Sequence, residues 1–139
     1  MNTDVLLRLS DEHDTLLPII VEIQAAAEAR DASALFEEIA SGRSAPTQEL
    51  DAHITLEEDV AFSFIEQSVG EDIVTPFRTE HTEIRMLRDE VLSQVDSGVA
   101  PFNLCLQLCD LIQSHMQRED MMLFPSAKEV LQAERFYPL

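Results

Sequence analysis

The sequence predicts an all-α protein, specifically an antiparallel up-down-up-down four-helix bundle with a short C-terminal helix. Apolar residues recur at spacings of three and four in four long segments, and nowhere is there the sustained alternation of a half-buried strand. The glycines Gly42, Gly70 and Gly98 all fall between those segments, where they punctuate helices. A length of 139 residues suits one domain, 1–139. Helices of roughly 20 to 26 residues on short connections then pack most economically as antiparallel neighbours.

The first helix is expected over about 4–29, with Leu6, Leu9, His13, Leu16, Ile20 and Ile23 on one face. Pro18 takes a backbone donor from the carbonyl of Asp14, which predicts a bend just past His13. A short helical stretch over 31–41 is followed by the break SGRSAP, where Pro46 suits a first helical turn. The second main helix, about 46–68, has the inner stripe Leu50, His53, Glu57, Val60 and Phe64. Thr75 and Pro76 resemble an N-cap and first-turn proline opening a third helix to about 96, with Phe77, His81, Ile84, Arg88, Val91 and Val95 inward. Pro101 opens a fourth through Leu123 or Phe124, with Leu104, Leu108, Leu111, His115, Glu119 and Met122 inward. Ser126 and Glu129 have capping-box spacing, so a brief terminal helix is expected over SAKEVLQAE.

The net charge of −18 is dispersed along the chain and argues against nucleic acid as a partner, because phosphate contacts require Lys and Arg. No apolar run approaches the ~18 residues of a membrane span, and the N-terminus lacks the pattern of a secretory signal, so a soluble, cytoplasmic protein is expected. Cys105 and Cys109 lie one turn apart on a helix, which is neither a disulfide framework nor a CxxC pair, and they are expected to be buried thiols. With Met116 they could alternatively form a shallow apolar strip for self-association; the sequence leaves the oligomeric state open.

Each main helix carries one histidine on its apolar stripe: His13, His53, His81 and His115. Glu57 follows His53 by one turn in HITLE, and Glu119 follows His115 by one turn in HMQRE, so each pair can offer a nitrogen and an oxygen to one interior point. Two carboxylates on core stripes would cost several kcal/mol each unless a cation compensates them. Four imidazoles and two carboxylates suit a two-metal site in which the carboxylates bridge and coordination positions stay open. Such mixed ligation suits iron, with manganese or zinc possible by ligand type. Ferritin-like bundles use Glu-x-x-His, whereas here the carboxylate comes four residues after the histidine.

EHDTLL, HITLEEDVAF, EHTEIRML and HMQREDMMLFP, in that order, resemble the haemerythrin-like HHE cation-binding domains over almost the whole chain. The resemblance implies a four-helix bundle around a non-haem di-iron centre, with or without an oxo or hydroxo bridge, that binds dioxygen or related ligands. It would give His13 and His53 to one iron, His81 and His115 to the other, and a bridging role to Glu57 and an acid after His115. The oxygen carriers of the family have a further histidine where this chain has Arg85, which implies a more symmetrical and more open site. They also bridge with an aspartate five residues after the last histidine, where many HHE domains use a glutamate four after it. This chain has both, Glu119 and Asp120; Glu119 shares the stripe with His115, whereas Asp120 is turned about 100° further, so Glu119 is favoured with Asp120 as the alternative. Glu12, Glu58 and Glu80 adjoin these positions and could join the shell around them, but read by default as solvated surface acids.

The expected function is binding of a small diatomic or peroxidic ligand in sensing, storage or detoxification. The alternatives are a di-iron enzyme reducing peroxide or nitric oxide, an iron storage or donation protein, and a metal-free helical interaction module. Leu16, Phe64, Phe77, Ile84 and Leu111 are expected to line the ligand pocket.

Overall fold

The computed structural model describes residues 1–136, which fold into five helical rods with no strand among the described residues. The first, α1, is Thr3–Glu28, and α2 is Ala32–Ser41. A third, α3, runs over 45–68 and alternates π-helical and α-helical pieces: Ala45–Glu49, Leu50–Leu56, Glu57–Phe62 and Ser63–Ser68. The fourth, α4, is Glu71–Asp96. The last, α5, joins Phe102–Arg118, a π-helical Glu119–Leu123 and Phe124–Phe136 without interruption.

Local chemistry sets these limits. The Asn2 side chain accepts from the Val5 amide to open α1, and Asp31 does the same for Ala34 to open α2. Between them the Asp31 amide returns to the Ala26 carbonyl while Arg30 takes a positive φ of 52°, which closes α1 with a left-handed cap. Gly42 permits a close crossing of α2 over α1: a Cβ there would meet Ile19 Cγ2 at 2.9 Å. The α4 helix starts one turn earlier than the Thr75–Pro76 pair suggests. Gly70, at φ 141°, turns the chain, Glu71 and Asp72 place negative charge at the helix N-terminus, and the Thr75 hydroxyl donates back to the Glu71 carbonyl. Pro76 and Pro18 both sit inside uninterrupted helices. The Ser126 hydroxyl donates to the Met122 carbonyl instead of capping a new helix, so the C-terminal helical segment begins at Phe124, directly after the π turn.

Cross-helix pairs run in opposite chain directions. Along α1 and α5, His13 meets Asp120, Gln24 meets Gln113 and Arg30 meets Asn103. Along α3 and α4, Arg78 meets Glu66, Arg85 meets Glu58, and Arg88 reaches Asp51 and the Pro46 carbonyl. Arg88 is inward as expected, and three acceptors hold its buried guanidinium.

The interior is split. One apolar cluster gathers Leu16, Ile20, Ile23, Leu50, Ile54, Ile84 and Ile112; another gathers Leu6, Leu9, Phe62, Ile65, Phe77, Leu123 and Phe124. The inward positions change phase at two π turns, since an i→i+5 turn takes in an extra residue. After Glu57 the buried residues are Ala61, Phe62 and Ile65, with Val60 and Phe64 only partly buried. After Glu119 they are Leu123, Phe124 and Ala127, while Met122 is exposed at 63 % instead of lying on the inner stripe. Cys105, Cys109 and Met116 are likewise core residues, at most 3 % exposed, so they form no surface strip for self-association. Burial raises the thiols to about 11 for Cys105 and about 12 for Cys109, leaving both protonated and inert.

Candidate metal centre

A polar layer separates the two apolar clusters. It contains His13, His53, Glu57, His81, His115 and Glu119, all buried. The α1 and α4 rods each supply a histidine, and α3 and α5 each supply a histidine and a glutamate one turn apart.

The six donors form two groups with shared members. His13, His53, Glu57 and Glu119 have donor atoms within 4.8 Å of one another, and so do Glu57, His81, His115 and Glu119. Glu57 Oε1 lies 2.9 Å from His53 Nε2 and 3.4 Å from His81 Nε2. Glu119 places Oε1 3.2 Å from His13 Nε2 and Oε2 3.3 Å from His115 Nε2. Each carboxylate therefore touches one histidine of each group, the placement needed to join two cations.

The other ring nitrogens face outward. His13 Nδ1 is 2.9 Å from Asp120 Oδ2, His53 Nδ1 is 2.8 Å from Glu12 Oε1, and His115 Nδ1 is 2.9 Å from Glu80 Oε1. An Nδ1–H donating to a carboxylate leaves the neutral ring with a bare lone pair on Nε2. Yet His13 Nε2 and His53 Nε2 lie 3.0 Å apart, and both Glu57 oxygens, both Glu119 oxygens and Nε2 of His81 and His115 are buried without a hydrogen-bond partner. Converging lone pairs and buried carboxylates repel unless something positive lies between them. The spacings suit a cation: bonds of about 2.0–2.2 Å to two donors at right angles hold those donors about 3 Å apart. The residues fit bound metal cations.

Protonation favours the same use. Burial alone would raise the Glu57 carboxyl, but the adjoining His53 and His81 imidazoles outweigh it and bring it down to about 2. Burial, with help from the neighbouring His81, lowers His115 to about 4 against the pull of Glu57 and Glu80. At neutral pH Glu57 is charged and His115 neutral, the forms that bind metal. Burial also opposes ionisation of Glu80, but Arg118 and His115 overcome it and lower its pKa.

Residues 4–127 match the family model described as the Hemerythrin HHE cation binding domain. The chain belongs to this family. No match was found among curated proteins or among solved structures. Among the described residues, no helix of this HHE domain is long and apolar enough to cross a membrane.

Within the HHE domain Asp120 lies at the outer edge of the layer, on His13 and on the Ser10 hydroxyl, while Glu119 points in. Glu12, Glu58 and Glu80 are not plain surface acids: Glu12 and Glu80 hold the rings of His53 and His115, and Glu58 lies 3.8 Å from His81 Nδ1. Arg85 reaches Glu58 and Asp51. A signal for these acids was present in the chain, which repeats one pattern in each half: Glu-His, then His-x-x-x-Glu followed by a second acid. The acid of each Glu-His serves the later histidine of its own half, and Asp120 crosses to His13 in the other. Aromatic rings flank the layer, Phe124 stacked on His13 and Phe62 on His81, with Phe77 edge-on to His115. On the opposite side a cavity of about 10 Å³ lies between the donors and Leu50, Ile54, Ile84, Ile112 and Met116. Of the five residues expected to line a ligand pocket, Ile84 lines this cavity, whereas Leu16, Phe64, Phe77 and Leu111 do not.

Proposed function

We propose that this single-domain protein is an up-down-up-down four-helix bundle holding two iron ions, and that it binds dioxygen or a related small ligand in sensing, storage or detoxification. The observation that carries the reading is the set of buried, unpartnered donor atoms on Glu57, Glu119, His81 and His115. His13 and His53 would hold one ion and His81 and His115 the other, with Glu57 and Glu119 joining them and Asp120 acting on His13 from outside. Antiparallel pairing along two helix seams supports the bundle. The two free, buried cysteines suit a reducing, cytoplasmic compartment.

Carboxylate-joined iron supplies reversible one-electron chemistry and open coordination positions for a ligand. The chain's part is to fix the rings of His13, His53 and His115 through outward Nδ1 hydrogen bonds, to keep Glu57 ionised, and to exclude water with Phe62, Phe77 and Phe124 on one side and the aliphatic cavity on the other. That cavity has room for about one water molecule, which favours a diatomic over a larger substrate.

The test is anaerobic reconstitution with ferrous iron, metal analysis, and then spectra with oxygen, nitric oxide and peroxide. Two irons per chain and a spectral change that reverses when oxygen is removed are expected. Less than stoichiometric metal would sink the di-iron reading, and repeated peroxide consumption with return to the resting spectrum would favour an enzyme.

A further inference from the structure

The two halves of the donor layer match residue for residue except at one corner. In the Glu-His and His-x-x-x-Glu-acid pattern, Glu12 corresponds to Glu80, Asp120 to Glu58, and Phe124 to Phe62. Glu12, Glu80 and Asp120 each lie 2.8 to 2.9 Å from their histidine Nδ1. Glu58 is the exception: its carboxylate is 3.8 Å from His81 Nδ1, and that nitrogen is buried with no hydrogen-bond partner.

Neighbouring side chains supply the cause. Asp120 is met by the Ser10 hydroxyl at 3.2 Å, three residues before His13. At the matching place before His81 stands Arg78, with Nη1 3.6 Å from Glu58 Oε2. Four residues after His13 is Leu17; four after His81 is Arg85, with Nη1 3.4 Å from Glu58 Oε1. Two guanidiniums thus face the carboxylate that would otherwise anchor His81. Arg78 is already committed to Glu66 at 2.7 Å, which leaves Arg85 as the partner whose removal most directly frees Glu58.

The geometry points to two unequal cation positions: Arg85, by drawing Glu58 off His81, makes the position formed by His81 and His115 the one that fills last and empties first. An imidazole that donates Nδ1–H to a carboxylate is a better donor at Nε2 and is fixed in orientation, and loss of such a partner typically weakens metal binding by about 10–100-fold. Both rings of the His13 and His53 position have this support, whereas only His115 has it in the other. Arg85 is a positioning residue here, acting through Glu58 on His81. This inference rests on the two-metal reading and adds an order of filling. The chain has a form with one ion retained and the other exchangeable.

The test is titration of the metal-free, full-length chain with Zn²⁺ against a chromophoric chelator, with the ring ¹⁵N resonances of the four histidines followed in parallel. Wild type is expected to take two ions in steps at least tenfold apart in affinity, with His13 and His53 shifting first and His81 and His115 second. Arg85→Leu should tighten the second step about tenfold and bring the His81 Nδ1–H into a carboxylate hydrogen bond, while Arg85→Lys, which keeps the charge, should preserve most of the gap. Asp120→Asn should weaken the first step about tenfold, whereas Glu58→Gln should leave the second nearly unchanged, because Glu58 does not serve His81. Equal steps in wild type, first occupancy at His81 and His115, or a gap that survives Arg85→Leu in a chain of unchanged circular dichroism would each overturn the inference. A chain that takes up no zinc in any form would overturn the metal reading with it, whereas two equal steps overturn the inequality alone.

Discussion

Glu57 and Glu119 are the residues on which the proposed centre turns, because each touches one histidine of both groups. Replacing either with alanine removes a donor common to both positions, so each variant is expected to fall from two ions to at most one after ferrous reconstitution. Asp120→Ala takes away only an outward hydrogen bond and should still bind two, the first more weakly. Metal analysis separates the cases: a Glu119→Ala chain with two irons and an unchanged spectrum would move the bridging role to Asp120. The inward placement of these six residues was legible from the apolar stripes, and one helical turn fixes His53 beside Glu57 and His115 beside Glu119. The outward acids were marked only by the repeated pattern, which does not say which ring each one meets. An acid next to an inward residue points away from the core on its own helix, and only tertiary packing shows that Glu12 reaches His53 on another one.

At the scale of elements, the departures from a plain helical stripe both start at a glutamate of the centre. The π-helical pieces Glu57–Phe62 and Glu119–Leu123 begin at those side chains, and π turns concentrate at functional positions elsewhere. A spacing of three and four extrapolated past Glu119 brings Met122 inward, but the wider turn delays the stripe by one residue to Leu123. No residue type in EDMML announces such a turn, which is why helix existence was legible and phase beyond the donors was not. The phase shift is measurable. Leu123→Ala should cost about 2–5 kcal/mol in urea denaturation because it empties a core position, whereas Met122→Ala should stay within about 0.5 kcal/mol. Equal costs, or a larger one at Met122, would place the inner stripe on the uninterrupted helix.

For the whole molecule, the donor layer lies between two apolar clusters and contributes buried charge in place of apolar packing, so its stability is tied to protons and cations. His115 has a folded pKa of about 4 against an ordinary 6.5, and Glu57 about 2 against 4.5. Both are depressed, so between folded and unfolded values the unfolded chain binds more protons and stability rises with pH. The His115 contribution in the metal-free chain is complete above pH 6.5 and lost as pH falls towards 4; the Glu57 contribution is complete above 4.5 and lost towards 2. The net charge of −18 acts the other way, since acid relieves repulsion between carboxylates, and a raw denaturation midpoint sums the two effects. The difference between wild type and His115→Asn isolates the histidine: the metal-free wild type should lose stability relative to the variant between pH 6.5 and 4, with little further change below that window. Urea midpoints of both chains at several pH values check this, and a difference flat across the window would mean that His115 is not held neutral by its burial. Bound cations compete with protons for the same Nε2 and carboxylate oxygens, so the loaded protein should keep its stability to lower pH than the metal-free chain and release its metal as it loses that advantage.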